Sequence, residues 1–428
     1  MRFFAGLLFA LAVTACARPP EPDLNPMAEQ YVRLSLEMGT HEEGYIDSYF
    51  GSPEWKTEAE AHPRSIADLK TAADALHTQI ETAEHQAHDP AVVRRAHTLA
   101  AYVASARFRL DMMEGTRLPF VQEAQHLFDL TPTLVPLEHY DAVITRLETM
   151  FPGRGSLADR VGAISDRFVV APQYREAVMR AAIAECRRRT LQHIPLPQNE
   201  NFEMEFVTNQ PWGAYNWYRG TNHSLIQVNT DLPFKIDSAI GYGCHEGYPG
   251  HHVQGINAEK LYRQNGWVEY SIMPLYSPQG PLNEGGGNYG IELAFPGNER
   301  LEFERATLFP LAHLDPATAE INNNLRNALD ELGGASRTIE AQYLDGTITR
   351  ERAIDLLEHY ALSSPERAAK ALQFADHYRS YIINYSSGLE VVRNFANAGN
   401  ADADTRWSRY RSILEQPTLP SDLQHETP

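Results

Sequence analysis

Between residues 243 and 254 the chain reads Gly243-Cys244-His245-Glu246-Gly247-Tyr248-Pro249-Gly250-His251-His252-Val253-Gln254, with three histidines in eight positions, the first followed directly by a glutamate. A hydrolytic zinc site needs neutral imidazoles as ligands, an open position for water, and a carboxylate near enough to take the water's proton. Residues four apart on a helix share a face, so such sites commonly read His-Glu-x-x-His. Here the fourth position after His245 is Pro249, which ligates nothing. If Pro249-Gly250 is an insertion, His251 takes the place of the second ligand. The helix must then absorb the extra residues in a bulge or a break, for which Pro-Gly is suited. His252 is the alternative, because seven residues make close to two turns of about 3.6 residues each. Glu246 becomes the candidate general base.

The third ligand should be a carboxylate from a neighbouring helix. Leu282-Asn283-Glu284-Gly285 offers Glu284, beside a run of glycines, Gly285 to Gly287, that strips side-chain bulk from its surroundings; Glu292 is the fallback. The Leu-Asn-Glu-Gly string resembles the segment that carries the glutamate ligand in gluzincin metallopeptidases. Taken together, His245-Glu246-x-x-Pro249-Gly250-His251-His252-x-Gln254 followed by Glu284-Gly285-x-x-x-Tyr289 resembles the bacterial domain-of-unknown-function 885 family, which looks related to the gluzincins. Weaker similarity at Asp47-Ser48-Tyr49-Phe50-Gly51 and Tyr385-Ser386-Ser387-Gly388 extends it over most of the chain. The resemblance implies a mainly α-helical fold and peptidase activity, without a substrate. Gly286 stands where the family usually has an aromatic residue, which implies a more open pocket wall. On this reading one zinc ion is held by His245, His251 and Glu284.

Outward from the motif, Phe202-Glu203-Met204-Glu205-Phe206 and Ile226-Gln227-Val228-Asn229 alternate with a period of two and read as strands. Between them Trp212-Gly213-Ala214-Tyr215-Asn216-Trp217-Tyr218 leads into the turn signal Arg219-Gly220-Thr221-Asn222. An edge strand beside a zinc helix can pair with an extended peptide, with Trp212, Tyr215 and Trp217 lining side-chain pockets. Elsewhere the periodicity is helical. Val92, Ala96, Leu99 and Val103 form one stripe and Ala353, Leu356, Leu357 and Tyr360 another, with Asp345-Gly346 as a turn and Ser364-Pro365 as a helix start. The expected fold class is mainly α: a large helical metallopeptidase-like domain with a small antiparallel β-sheet next to the active-site helix.

Peptide hydrolysis also needs a donor for the developing oxyanion. Tyr385 and Tyr289 are the candidates, since a neutral phenol donates without disturbing the metal's charge. Arg379 could clamp a substrate carboxylate bidentately.

The remaining readings concern the whole chain. Its 428 residues, 43% hydrophobic and 22% charged, suit one catalytic domain over 28–420, or two lobes over 28–195 and 196–420. Fifty-six acidic against 37 basic residues give a formal charge of −19, which excludes nucleic acid as a partner and leaves a peptide substrate. Arg2 and the apolar run Phe3 to Ala15 read as a signal peptide over 1–15, too short to span roughly 30 Å of hydrocarbon. Val13-Thr14-Ala15-Cys16 resembles a bacterial lipobox. That resemblance makes Cys16 a lipid anchor, followed by a proline-rich tether within 16–27. The protein is then expected in the bacterial cell envelope, on the periplasmic face of the outer membrane, touching lipid only through Cys16. Cys186 and Cys244 read as two buried thiols, with a disulfide as the alternative. The same metal set could instead cleave an ester or a cell-wall amide, or the chain could be an inactive envelope-binding lipoprotein. No Gly-x-Ser-x-Gly elbow points to a serine hydrolase.

Overall fold

The stripes read from the sequence become buried helix faces in the computed structural model, which describes residues 20–210 and 212–425. Ala96, Leu99 and Val103 are buried along the helix Pro90–Met113, with Val92 half-buried at the edge of the stripe. Burying a leucine such as Leu99 stabilises the fold by about 1.5–3 kcal/mol. Asp89 caps that helix by accepting from Ala91 N at 2.8 Å, and Pro90 fills the first turn, where its missing N–H costs nothing. Ala353, Leu356 and Leu357 are likewise buried in Arg350–Tyr360, and Ser364 caps Pro365–Tyr378.

One apolar cluster gathers side chains from Leu24 to Leu423, so both ends of the described chain enter the same core. Two smaller clusters lie beside it, one around Leu147 and Leu332 and one around Ile339 and Leu372. The signal peptide and Cys16 fall outside the described residues. The last residues given to the tether are not tether: Leu24 is buried and the helix Asn25–His41 has already begun. At the other end the helix Pro420–His425 continues past residue 420.

The fold is mainly α-helical with small sheets beside the motif. A two-stranded antiparallel ribbon pairs β1 (Ile46–Tyr49) with β5 (Ile272–Pro274). The second sheet contains β2 (Asn201–Val207), β3 (Ala214–Gly220) and β4 (His223–Asn229), in the order β2-β4-β3. The aromatic stretch is therefore itself a strand. It pairs antiparallel with β4 through a two-residue turn in which Thr221 and Asn222 both have positive φ, the geometry that matches strand twist in a tight hairpin. β2 runs parallel to β4, so the three-stranded sheet is mixed. β4 takes the centre because Leu225, Ile226 and Val228 make it the most buried strand, which leaves β2 and β3 as edges.

Two helices frame the far side of the site. Gln279–Ala294 and Ile383–Asn397 pack backbone to backbone at Gly285 and Gly388. A Cβ on Gly285 would fall 2.1 Å from the Gly388 carbonyl carbon, and one on Gly388 would fall 2.3 Å from the Pro281 oxygen.

Candidate metal centre

The motif is built as a helix that unwinds into a wider turn and then breaks. Ile236–Tyr242 runs into a π-helical turn, Gly243–Gly247; the chain extends at Tyr248, and a new helix starts at His251. Gly250 N donates to Cys244 O at 3.0 Å, and a Cβ on Gly250 would fall 1.8 Å from the His245 oxygen, so only glycine lets the chain turn back this tightly. The π turn and the break together absorb the Pro249-Gly250 insertion. Cys244 lies on this turn and is disulfide-bonded to Cys186, which corrects the reading of two thiols. The pairing depends on the helix Pro172–Thr190 packing along the π turn, which a separation of 58 residues does not reveal.

His245, His251 and Glu284 converge, with one ligand atom from each within 4.8 Å of the others. Glu284 Oε2 is 3.2 Å from His245 Nε2 and 3.7 Å from His251 Nε2. The opposite ring nitrogens are held by amides. His245 Nδ1 lies 3.0 Å from Asn288 Oδ1, and His251 Nδ1 lies 2.7 Å from Gln254 Oε1. Each amide is itself oriented by a backbone carbonyl: Asn288 Nδ2 donates to Tyr385 O at 3.1 Å and Gln254 Nε2 to Asn283 O at 2.9 Å. Their oxygens must therefore accept from the imidazoles, which puts the proton on Nδ1 and the lone pair on Nε2. Two Nε2 lone pairs and a carboxylate facing one another repel unless a cation lies between them, and this donor set fits zinc. Without a metal ion the cation is a proton: burial disfavours the charged forms, but imidazoles protonated on Nε2 as well donate to Glu284, which holds its carboxyl well below the usual range and pushes His251 up to about 10.

His252 is elsewhere. It is fully buried, with Nδ1 2.7 Å from Ser224 Oγ and Nε2 3.1 Å from Glu200 Oε2. Burial acts against ionised Glu200, yet contacts from His252, Tyr248 and Arg187 hold its carboxyl down at about 2. That is a structural ion cluster under the sheet, not part of the centre.

Glu246 is buried and lines the same cavity, of about 700 Å³, as the converging trio. Its carboxyl is pushed up by burial, which the neighbouring imidazoles partly offset. Asn216 on β3 donates to Glu246 O at 2.5 Å and ties the sheet to the π turn. Tyr385 is 41% exposed and lines the cavity, as do Trp212 and Tyr215.

Other expected residues are not brought here. Tyr289 is buried on another face of its helix, and its hydroxyl donates to Asn397 Oδ1 at 2.9 Å. Arg379 Nε donates to the fully buried Glu123 at 2.7 Å. Trp217 is exposed away from the cavity, with Nε1 donating to Gln227. Glu292, the fallback ligand, pairs with Arg393. Nor does Gly286 open a wall: a Cβ there would meet the Gln254 amide at 3.1 Å and the buried Tyr410 ring at 3.5 Å.

The sequence reading missed several contributors. Asn288 lies four residues after Glu284 and shares its helix face, a signal that was available. Tyr381, whose hydroxyl is 3.5 Å from Glu284 Oε1, and Asp47, which accepts from the Tyr215 hydroxyl, come from distant segments.

No family model and no curated protein sequence matches the chain, so the resemblance to the domain-of-unknown-function 885 family stands on its motif residues. Among solved structures, the chain is similar to a protein from Colwellia psychrerythraea provisionally described as a lipoprotein. The TM-score is 0.53 at 12% identity, over 95% of this chain and 76% of that one. It also aligns with an M32 carboxypeptidase from Deinococcus radiodurans R1 at TM-score 0.44 and 14% identity, over 95% of both chains; at that score the likeness says nothing of chemistry. What the first similarity shows is a shared fold.

Proposed function

We propose that the protein is a zinc-dependent hydrolase that cleaves peptides at the cell envelope, with His245, His251 and Glu284 as ligands of one ion and Glu246 as general base. The observation that carries this reading is the convergence of two imidazole Nε2 atoms, their Nδ1 atoms held by Asn288 and Gln254, with Glu284 on the wall of a cavity that Glu246 also lines. A zinc ion held there supplies Lewis acidity to water and to a substrate carbonyl. Glu246 takes the proton of the attacking water and returns it to the leaving nitrogen. Tyr385 donates to the oxyanion, and Tyr381 positions Glu284.

A peptide is favoured by the free edge of β3. Asn229 N donates to Gly213 O, so in this antiparallel pair the hydrogen-bonded couples are 213 with 229, 215 with 227 and 217 with 225. The backbone N–H and C=O groups of Ala214, Asn216 and Tyr218 therefore face away from β4, and all three residues line the cavity. An extended substrate can add there as a strand.

The test is zinc content after mild purification, then hydrolysis of a panel of peptides, esters and cell-wall fragments by the zinc-loaded chain. Peptide turnover that is lost with the metal and restored by it supports the reading; turnover of esters or muropeptides alone would replace it. Tyr385→Phe is expected to lower kcat about a hundredfold with little change in KM, the scale of one oxyanion donor. A kcat close to wild type would remove Tyr385 from that role.

The lipobox-like sequence supports anchoring at Cys16. Among the described residues no helix is long and apolar enough to cross a membrane. Cys16→Ser is expected to abolish acylation and either block signal processing or release a soluble product. Unchanged membrane fractionation with no lost lipid mass would exclude the anchor.

A further inference from the structure

The formal charges of the acidic and basic side chains around the cavity all have one sign. Glu42, Glu43, Asp47, Glu246 and Glu284 line it, and among the described residues that do so none is an arginine or a lysine. Arg379, the expected clamp for a substrate carboxylate, is bound to Glu123 instead. Glu42 is paired with Arg109, whose Nε donates to it at 2.9 Å. A divalent ion in the centre would be balanced by Glu284 and Glu246, so the excess charge that a ligand meets belongs to Asp47 and to Glu43 at the exposed rim.

Asp47 is the deeper of the two. It sits on β1, and its Oδ1 accepts the hydroxyl of Tyr215 on the substrate-facing strand; no cation among the described residues pairs with it. Burial pushes its carboxyl up to about 6 against the Tyr215 hydrogen bond. A substrate carboxylate in this space would meet like charge and no guanidinium or ammonium. A substrate ammonium would meet a desolvated carboxylate with an oxygen to spare. Resting on the peptidase reading above, we infer that the cavity selects substrates carrying an ammonium group, from a free amino terminus or a lysine side chain, with Asp47 as its counter-ion, and that it does not anchor a C-terminal carboxylate.

The experiment compares four versions of one otherwise neutral peptide on the zinc-loaded full chain: both ends free, N-acetylated, C-amidated, and N-acetylated with one lysine added. Acetylation is expected to lower kcat/KM by roughly tenfold to a hundredfold, the worth of one charge-assisted contact, while amidation leaves it unchanged. Recovery with the lysine peptide means that a side-chain ammonium serves as well as the terminal one; no recovery restricts the site to the amino terminus. Asp47→Asn should bring the ratio of free to acetylated substrate close to one, and an unchanged ratio overturns the assignment. Metal-dependent hydrolysis that ignores acetylation, or that falls on amidation, overturns the inference and leaves the peptidase reading standing. If no peptide is hydrolysed, that reading fails instead. The inference is then decided by calorimetric binding of the free and acetylated peptides to zinc-loaded Glu246→Gln protein: tighter binding of the free peptide upholds it, and equal or absent binding overturns it.

Discussion

Glu246→Gln is expected to lower turnover by roughly two to four orders of magnitude, the range that general-base catalysis supplies, while zinc stoichiometry stays near one. Gln keeps the size and hydrogen-bonding capacity of Glu at a position that is only 6% exposed, so the loss cannot be ascribed to a cavity or to a collapsed π turn. It cannot accept the proton of the attacking water. Glu246 follows His245 directly, so its side chain leaves the helix about 100° away from the imidazole, and it is absent from the converging trio. Metal analysis by mass spectrometry alongside peptide kinetics checks both halves. Zinc loss in this variant would make Glu246 a ligand, and undiminished turnover with zinc bound would mean that another site runs the reaction.

Replacing any one of His245, His251 or Glu284 by alanine should remove bound zinc and take hydrolysis to background. With three protein donors in a hydrolytic site, losing one leaves two, too few to hold the ion against a mild chelator. His252→Ala provides the contrast. Its ring spans Ser224 and Glu200 in the buried ion cluster, so its removal leaves Ser224 Oγ unpaired, at a cost of about 1–3 kcal/mol in stability, while Glu200 keeps Tyr248 and Arg187 and zinc is retained. Denaturant melts and zinc content together separate the two outcomes. Zinc kept in His251→Ala and lost in His252→Ala would reverse the ligand assignment.

One of the misplaced residues was readable from the sequence with stricter geometry. Tyr289 lies five positions after Glu284, which at about 100° per residue turns it roughly 140° away, whereas Asn288 at four positions returns to the ligand's face. The same rule that made the spacing from His245 informative would have demoted Tyr289. Trp217 shares the parity of Tyr215 on β3, and nothing local says that the cavity ends before it reaches Trp217. Arg379 was a plausible clamp only while Glu123 was unseen; the two are brought together by packing of the helix Phe120–Phe128 beneath the bend at Arg379.

What the sequence determined by itself is what short-range geometry encodes. Helix stripes follow from a period near 3.6 and strands from a period of two, and Pro249-Gly250 forces a break between His245 and His251, because each depends only on neighbours along the chain. The tertiary structure alone decided which of His251 and His252 faces Glu284, that β2 joins β4 in parallel, and that Cys186 meets Cys244. It also decided that Asp47, Tyr381 and Glu284 share one cavity with the motif. Those outcomes depend on how separately formed helices and strands pack, and a rotation of one packed element by a fraction of a turn exchanges which side chains meet while leaving every local signal in the sequence unchanged.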